Sequence, residues 1–316
     1  MRDLSLFIIG MPRSGTKLLR NLLNNNDNIF IPNVETVFIP KILKRFGNKS
    51  LSQDDILRLC SIIENSMFFH RYPKKLDIDL SQLIKPGNTA SETIELFYNI
   101  LSFSEKREAT ILGDKSPNYI NDIELLLNHF PKAKFIHIIR DPRDYALSIN
   151  KAWGKNIYRA VFRWHRSVSN FQYQSEINKG RVFTVKYEDL ISQPVESLKE
   201  VCYFLNIEYQ SGMHKLNEAV EKVGDARSSA IKSDNKKKYL TELSIKEIEN
   251  IEKITYPTIT KFYKLDSDIH TNKKPLRVMR MKWFAQDVFN LLIGYVKRYG
   301  LRKGITNMKR MYDSSN

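Results

Sequence analysis

Phe7-Ile8-Ile9-Gly10-Met11-Pro12-Arg13-Ser14-Gly15-Thr16-Lys17-Leu18-Leu19 reads as a buried strand, a tight turn and a helix start in unbroken succession. Leu4 to Ile9 is almost continuously apolar rather than alternating, the pattern of a parallel strand covered on both faces. Gly10 and Gly15 bracket a turn whose N–H groups can converge, and Leu18, Leu19, Leu22 and Leu23 give the next segment a helical apolar stripe. The first-turn N–H groups and the positive end of the helix dipole favour a phosphate or sulfate, and Arg13 and Lys17 add two cations beside it. The plain alternative is a strand-turn-helix corner of any α/β protein, with both cations solvated.

The Gly10-x-x-x-x-Gly15 spacing matches a nucleotide-binding P-loop, but that loop continues with Lys and then Ser or Thr. Here the order is Thr16-Lys17, so no hydroxyl follows the lysine to hold magnesium.

Working outward, Ile29 to Pro32 reads as a second strand, and Asn33 to Thr36 leads into a helical run from Val37 to Phe46. Glu35 precedes that helix, where its dipole favours a carboxylate, so a capping charge is one reading. Residues 52–104 read as helices with polar loops that interrupt the strand rhythm. Thr110 to Gly113 is a third strand candidate, and strand ends in an open parallel sheet face the ligand crevice, which places Lys115 on the same edge as Arg13 and Glu35. A helix from Ile123 to Phe130 leads to a strand from Lys134 to Ile139. Arg140 ends it with a guanidinium suited to bidentate phosphate contact, and Ser148 follows two helical turns later. Arg143 reads as a helix-surface charge paired with Asp144 or Asp141. A helix from Tyr158 to Ile177, a last strand from Arg181 to Lys186 and a helix from Pro194 to Leu205 complete an α/β pattern with a central, mainly parallel sheet flanked by helices.

A chain of 316 residues with 42% hydrophobic composition suffices for one large α/β domain, with or without an appendage. The apolar start is broken by Gly10, Pro12 and Arg13 and makes no secretory leader, and Val288 to Val296 is too short to span a bilayer. Cys60 and Cys202 are the two cysteines, which points away from a disulfide framework and toward a reducing compartment. The six histidines are scattered, so no metal centre is expected. Of the net +16, a surplus of ten lies between Lys273 and Arg310, where Asp287 is the lone acid. In this tail Phe284, Val288, Leu291, Leu292, Tyr295 and Tyr299 recur at helical spacing. Two readings stay open: an amphipathic helix on an anionic membrane or acidic polymer, or a helix docked by that stripe on the body. No nucleic-acid motif accompanies the charge, so no nucleic-acid partner is expected.

Pro12 to Leu19 resembles the 5′-phosphosulfate loop of sulfotransferases that use 3′-phosphoadenosine 5′-phosphosulfate (PAPS), in the form with Arg13 where the cytosolic small-molecule enzymes carry Lys. Phe135-Ile136-His137-Ile138-Ile139-Arg140-Asp141-Pro142-Arg143-Asp144-Tyr145-Ala146-Leu147-Ser148 is similar to the family's 3′-phosphate segment. Glu35-Thr36-Val37-Phe38-Ile39-Pro40 is similar to the stretch of tyrosylprotein and related carbohydrate-type enzymes whose Glu removes the acceptor's proton. Asp114-Lys115-Ser116-Pro117 matches the segment whose Lys contacts the transferring group. Gly224 to Lys232 resembles, loosely, the loop that closes over the 3′-phosphate, with Arg227 and Ser228 as its ligands but without the family's Arg-Lys-Gly triplet.

The resemblance implies a P-loop-like three-layer fold, with a sulfotransferase domain over 1–265, a helical insertion at about 52–104 and a basic amphipathic extension over 266–316. It implies PAPS as sulfuryl donor without a metal, bound by Arg13, Ser14, Gly15, Thr16, Lys17, Leu18, Arg140, Ser148, Arg227 and Ser228. Catalysis falls to Glu35 as base with Arg13 and Lys115 as charge stabilisers. Cytosolic aryl and steroid enzymes use a His in the segment that here holds Lys115, which points away from a phenol or steroid acceptor, and the basic tail suits a carbohydrate, glycolipid or polysaccharide hydroxyl. The Golgi-type anchor and lumenal cysteines are lacking, so the expected place is the cytoplasm, with the basic tail as a peripheral contact to the inner membrane surface. The alternatives are a P-loop kinase needing ATP and magnesium, and a non-catalytic binder of acidic glycans or membranes.

Overall fold

The computed structural model describes residues 2–72, 80, 84–105, 108–216 and 230–300. Their packing divides into two compact units, one formed by residues 1–139, 170–220 and 228–233, the other by 140–169, 221–227 and 234–316.

The first unit holds the sheet. Its strands are β1 (Leu4–Gly10), β2 (Ile29–Phe30), β3 (Ile111–Lys115), β4 (Lys134–Ile139) and β5 (Val182–Lys186), in the order β2-β3-β1-β4-β5. All four pairings are parallel, with Ile8 opposite Lys115 and Gly10 opposite Ile138. The chain winds to one side of β1 through β2 and β3 and to the other through β4 and β5. The carboxyl end of β1 is therefore the switch point at which open sheets build their sites.

Both faces of β1 are buried, as its unalternating sequence requires. Leu6 and Ile8 join a core with Leu18, Leu19, Leu22 and Leu23 of the helix Thr16–Leu23 and with Leu198, Val201 and Leu205 of the helix Pro194–Leu205. Phe7 points the other way, stacked on Phe135 at 5.1 Å and against Phe130 at 5.2 Å. Residues 52–104 supply the helices Gln53–Glu64, Met67–Arg71 and Ala90–Ser104, the first and last opened by capping boxes at Ser52 and Thr89.

The helix expected from Val37 begins at Ile39. Val37 has φ 55, a left-handed value that no helix accepts from a β-branched residue, and Phe38 N–H bonds the Thr36 carbonyl at 2.6 Å across this tight turn.

In the second unit the helix Pro142–Trp153 carries Asp141 as its cap, accepting from Arg143 N at 2.9 Å. Arg143 is not the surface charge its helical position suggests. It is buried, grips both carboxylate oxygens of Asp141 at 2.9 and 2.6 Å, reaches Glu252 at 2.6 Å and also pairs with Asp266. Asp144 instead accepts the backbone N–H groups of Lys237 and Tyr239 at 2.6 and 3.0 Å. The helix Arg277–Tyr299 is seated by Trp283, which packs with Ala146, Val161, Ile251 and Ile254. Of the two readings of the expected stripe, docking on the body is corrected for its first half: Phe284 and Val288 are exposed, while Leu291 and Leu292 are half-buried. Among the described residues no helix is long and apolar enough to cross a membrane.

Candidate active site

The turn after β1 is built where side chains do not fit. A Cβ on Gly10 would lie 2.5 Å from the carbonyl oxygen of Ile138 on the neighbouring strand. One on Gly15 would lie 2.5 Å from the Tyr187 ring, and Gly15 also has φ 99. Arg13, at φ 75, takes a left-handed conformation without being glycine, a strained geometry of the kind that collects at binding loops. Ser14 N–H closes the turn onto the Met11 carbonyl at 3.1 Å.

The helix starts at Thr16 with Gly15 as its cap and no side chain bonded to its first turn. Its first N–H groups have no intrahelical acceptor, and Ser14 Oγ is fully buried without a hydrogen-bond partner. These features fit an anionic group seated on the turn. Arg13 and Lys17 are half-buried beside it, while the Leu18 side chain belongs to the core and leaves only its backbone for a ligand.

Lys115 is the last residue of β3 and no part of its side chain is exposed. Its ammonium donates to Glu35 Oε1 at 2.6 Å, while the Glu35 side chain remains 38% exposed. The expectation that Glu35 and Lys115 share one edge is met by direct contact. Burial pushes the Lys115 ammonium below its usual range, and the Glu35 carboxylate opposes that shift.

Beneath this pair lies a network that motif reading did not find. Asp114 Oδ2 accepts from Tyr98 Oη at 2.5 Å and from Thr36 Oγ1 at 2.6 Å. The Thr36 hydroxyl also meets Tyr119 Oη at 3.0 Å, and Tyr119 Oη in turn accepts from Ile39 N–H at 3.2 Å. Thr36 and Asp114 are the immediate neighbours of Glu35 and Lys115, so the network fixes the backbone on both sides of the pair. Asp114 is fully buried, and desolvation raises its carboxyl above the usual range despite the two hydroxyl donors. Arg20, on the helix after the turn, binds the carbonyl of Asn33 and approaches that of Pro32 at 3.5 Å, holding the segment that delivers Glu35. Asp114 and Thr36 were visible as flanks of quoted motifs; Tyr98 lies inside a helix and carried no local signal.

Of the remaining candidates, Arg140 and Ser148 lie in the second unit. Arg140 is buried directly after β4, donates to the Asn235 carbonyl at 3.2 Å, and its own carbonyl accepts from Trp164 Nε1 at 3.1 Å. Ser148 is half-buried in the helix Pro142–Trp153. Arg227 and Ser228 lie outside the described residues.

A family model described as "Sulfotransferase family" matches residues 5–211, which reach every strand of the sheet and include Glu35, Lys115 and Arg140. The chain is 24% identical over 242 residues to protein-tyrosine sulfotransferase 1 of Danio rerio, a match covering 72% of this chain and 59% of that protein. It is 26% identical over 255 residues to the omega-hydroxy-beta-dihydromenaquinone-9 sulfotransferase of Mycobacterium tuberculosis, covering 65% and 63%. The chain thus spans less than two thirds of the length of these curated relatives. Among solved structures, the sulfotransferase domain from the curacin biosynthetic pathway superposes with a TM-score of 0.47 at 22% identity, covering 90% of this chain and 97% of that one. With a family match running through nearly two thirds of its length and across every strand of its sheet, the chain belongs to the sulfotransferase family.

Proposed function

We propose that this protein transfers a sulfuryl group from PAPS to an acceptor hydroxyl, and that the acceptor is a carbohydrate, glycolipid or polysaccharide. The observation that carries the reading is the Lys115–Glu35 pair, set on the sheet edge where β1 opens into the glycine turn. The buried cation fixes the position of a half-exposed carboxylate, the group that takes the acceptor's proton in this reading.

PAPS, when bound, supplies the sulfuryl group, activated by its bond to phosphate. The rest is positioning and charge. The turn's N–H groups, Ser14, Arg13, Thr16 and Lys17 would hold the 5′ side of the donor, and Arg140 with Ser148, Arg227 and Ser228 would hold the 3′-phosphate. The acceptor oxygen forms its bond to sulfur as the sulfur–phosphate oxygen bond breaks, and the hydroxyl proton passes to Glu35. Lys115 and Arg13 offset the charge on the moving group and on the departing phosphate. No step calls on a metal, and among the described residues no cluster of three His, Cys, Asp or Glu could hold one.

Thermal unfolding with adenosine 3′,5′-bisphosphate (PAP), ATP, and ATP plus magnesium tests the donor. Ligand at a hundred times its dissociation constant stabilises by about 2.7 kcal/mol, a readily measured shift. A magnesium-independent shift with PAP, lost in Arg140→Ala, supports the proposal. A shift with ATP plus magnesium alone would replace it with phosphoryl transfer. Transfer of labelled sulfate from PAPS to glycan and lipid-linked glycan acceptors, with Glu35→Gln as control, then tests the acceptor.

A further inference from the structure

The helix Arg277–Tyr299 is seated along one side, by one apolar and two polar residues. Trp283 is buried, Asp287 accepts from Asn156 N–H at 2.7 Å and pairs with Arg159, and Asn290 donates to the Gly154 carbonyl at 2.6 Å. Positions 283, 287 and 290 share one side of a helix. On the opposite side Val278, Met281, Ala285 and Val288 recur at spacings of three and four, a continuous outward stripe. Val278 is 63% exposed and Met281 62%, with Phe289 at the flank 60% exposed. Single exposed apolar residues are ordinary, but an ordered row along one helix is not.

The surroundings of this row are cationic. Lys273, Lys274, Arg277, Arg280 and Lys282 are exposed, and Asp287, the lone acid of residues 273–300, is buried in its pair with Arg159. Beside the start of the helix lies a cavity of about 310 Å³, lined by Phe162 and Ile254 and by His165, Arg166, Lys274 and Arg280. Its walls thus combine hydrocarbon with three permanent cations and no carboxylate. Burial pushes the His165 imidazole below its usual range; a hydrogen bond with the Thr255 backbone opposes that shift and the Lys274 charge adds to it. A space of this size holds roughly ten waters, enough for a phosphodiester with its glycerol.

We propose that the outer face of this helix and the cationic cavity beside it form a docking site for an anionic phospholipid bilayer, with one phosphodiester headgroup entering the cavity. Charge selects this occupant. A symmetric contact of this helix with a second copy of itself would bring like cations together with no exposed acid of residues 273–300 to answer them, and a nucleic acid would gain nothing from burying Val278 and Met281. A bilayer surface takes the apolar stripe into its acyl boundary and the cations at its phosphates. Docking needs no nucleotide and no transfer, so its test stands apart from that of the sulfuryl-transfer reading.

The test is cosedimentation of the full chain with vesicles of phosphatidylcholine alone and of phosphatidylcholine with phosphatidylglycerol. Binding is expected to the anionic vesicles, to fall about fivefold for each cavity cation removed, and to fail at high salt. Met281→Glu with Val288→Glu removes the stripe and is expected to abolish binding; both sites are exposed, so the thermal midpoint should not move. Lys274→Gln and Arg280→Gln should each weaken binding more than Lys282→Gln, which lies outside the cavity. Equal losses at the three positions would overturn the cavity's part. Equal binding to both vesicle types, or none, would overturn the docking site. Concentration-dependent dimerisation abolished by Met281→Glu would assign the stripe to a second copy instead.

Discussion

Lys115 Nζ, wholly withdrawn from solvent, donates at 2.6 Å to Glu35 Oε1, and the partner carboxylate keeps 38% of its side chain exposed. The pair is asymmetric in a useful way. The cation is held by the sheet, and the carboxylate is presented at its edge.

Glu35→Gln should therefore lower kcat by about a hundredfold or more while leaving the PAP-induced thermal shift intact, because the amide keeps the geometry and removes the base. Steady-state kinetics beside thermal unfolding separates the two effects. An unchanged kcat would remove Glu35 from the chemistry. Lys115→Met should also lower kcat, and since burial already disfavours this ammonium, it should cost little stability.

Asp114→Ala should be among the most destabilising changes in the first unit. It strands the buried hydroxyl of Tyr98, at about 1–3 kcal/mol, and leaves that of Thr36 with Tyr119 alone. Tyr98→Phe removes one bond and leaves Thr36 as a donor to Asp114, so it should cost clearly less. Urea denaturation of both variants measures the difference; equal losses would dissolve the network into independent contacts.

Gly10→Ala and Gly15→Ala should differ in kind. At Gly10 the new methyl meets the Ile138 carbonyl, part of a paired strand that cannot yield, and folding should suffer. At Gly15 it meets the Tyr187 ring, a side chain that can turn aside. Gly15→Ala should fold yet lose PAP binding, and Tyr187→Leu in the same chain should restore part of its stability. Expression yield and the PAP-dependent thermal midpoint distinguish the outcomes.

His137 supplies the pH dependence. It is buried in β4 against Phe171, with ring centroids 4.0 Å apart, and burial depresses its imidazole to about 3. The unfolded chain therefore takes up this proton first on acidification. Its contribution to stability is intact above pH of about 6.5 and is lost toward pH 3, at about 1.4 kcal/mol per unit. Unfolding in urea at pH 7 and pH 5 should show this slope in the natural chain and its absence in His137→Leu.

Arg143→Met should cost about 3–5 kcal/mol, since it leaves the buried carboxylates of Asp141 and Glu252 without their shared cation. A value below about 1 kcal/mol in chemical denaturation would return Arg143 to the helix surface.

Several features of this protein were decided by local order along the chain. The unalternating apolar run of β1 announced a parallel strand buried on both faces, and the strand Lys134–Ile139 and the helix Pro194–Leu205 fall where their patterns place them. The glycine turn was legible because Gly10, Gly15 and the helix after them are neighbours in sequence, as is the motif order that marks the family. What local order could not decide was set by residues far apart. Val37 departs from the helix because a tight turn holds Phe38 N–H on Thr36. Tyr98 becomes part of the site because the helix Ala90–Ser104 packs where Asp114 needs a second donor. Arg143 goes inside because Glu252, more than a hundred residues away, offers a buried carboxylate to share with Asp141. The apolar periodicity of the C-terminal helix did not show which side is seated; the position of Trp283 among Ala146, Val161, Ile251 and Ile254 decides it and leaves Val278, Met281 and Val288 outward. Hydrophobic periodicity tells a helix how many apolar faces it has; the partners that cover them belong to the tertiary fold.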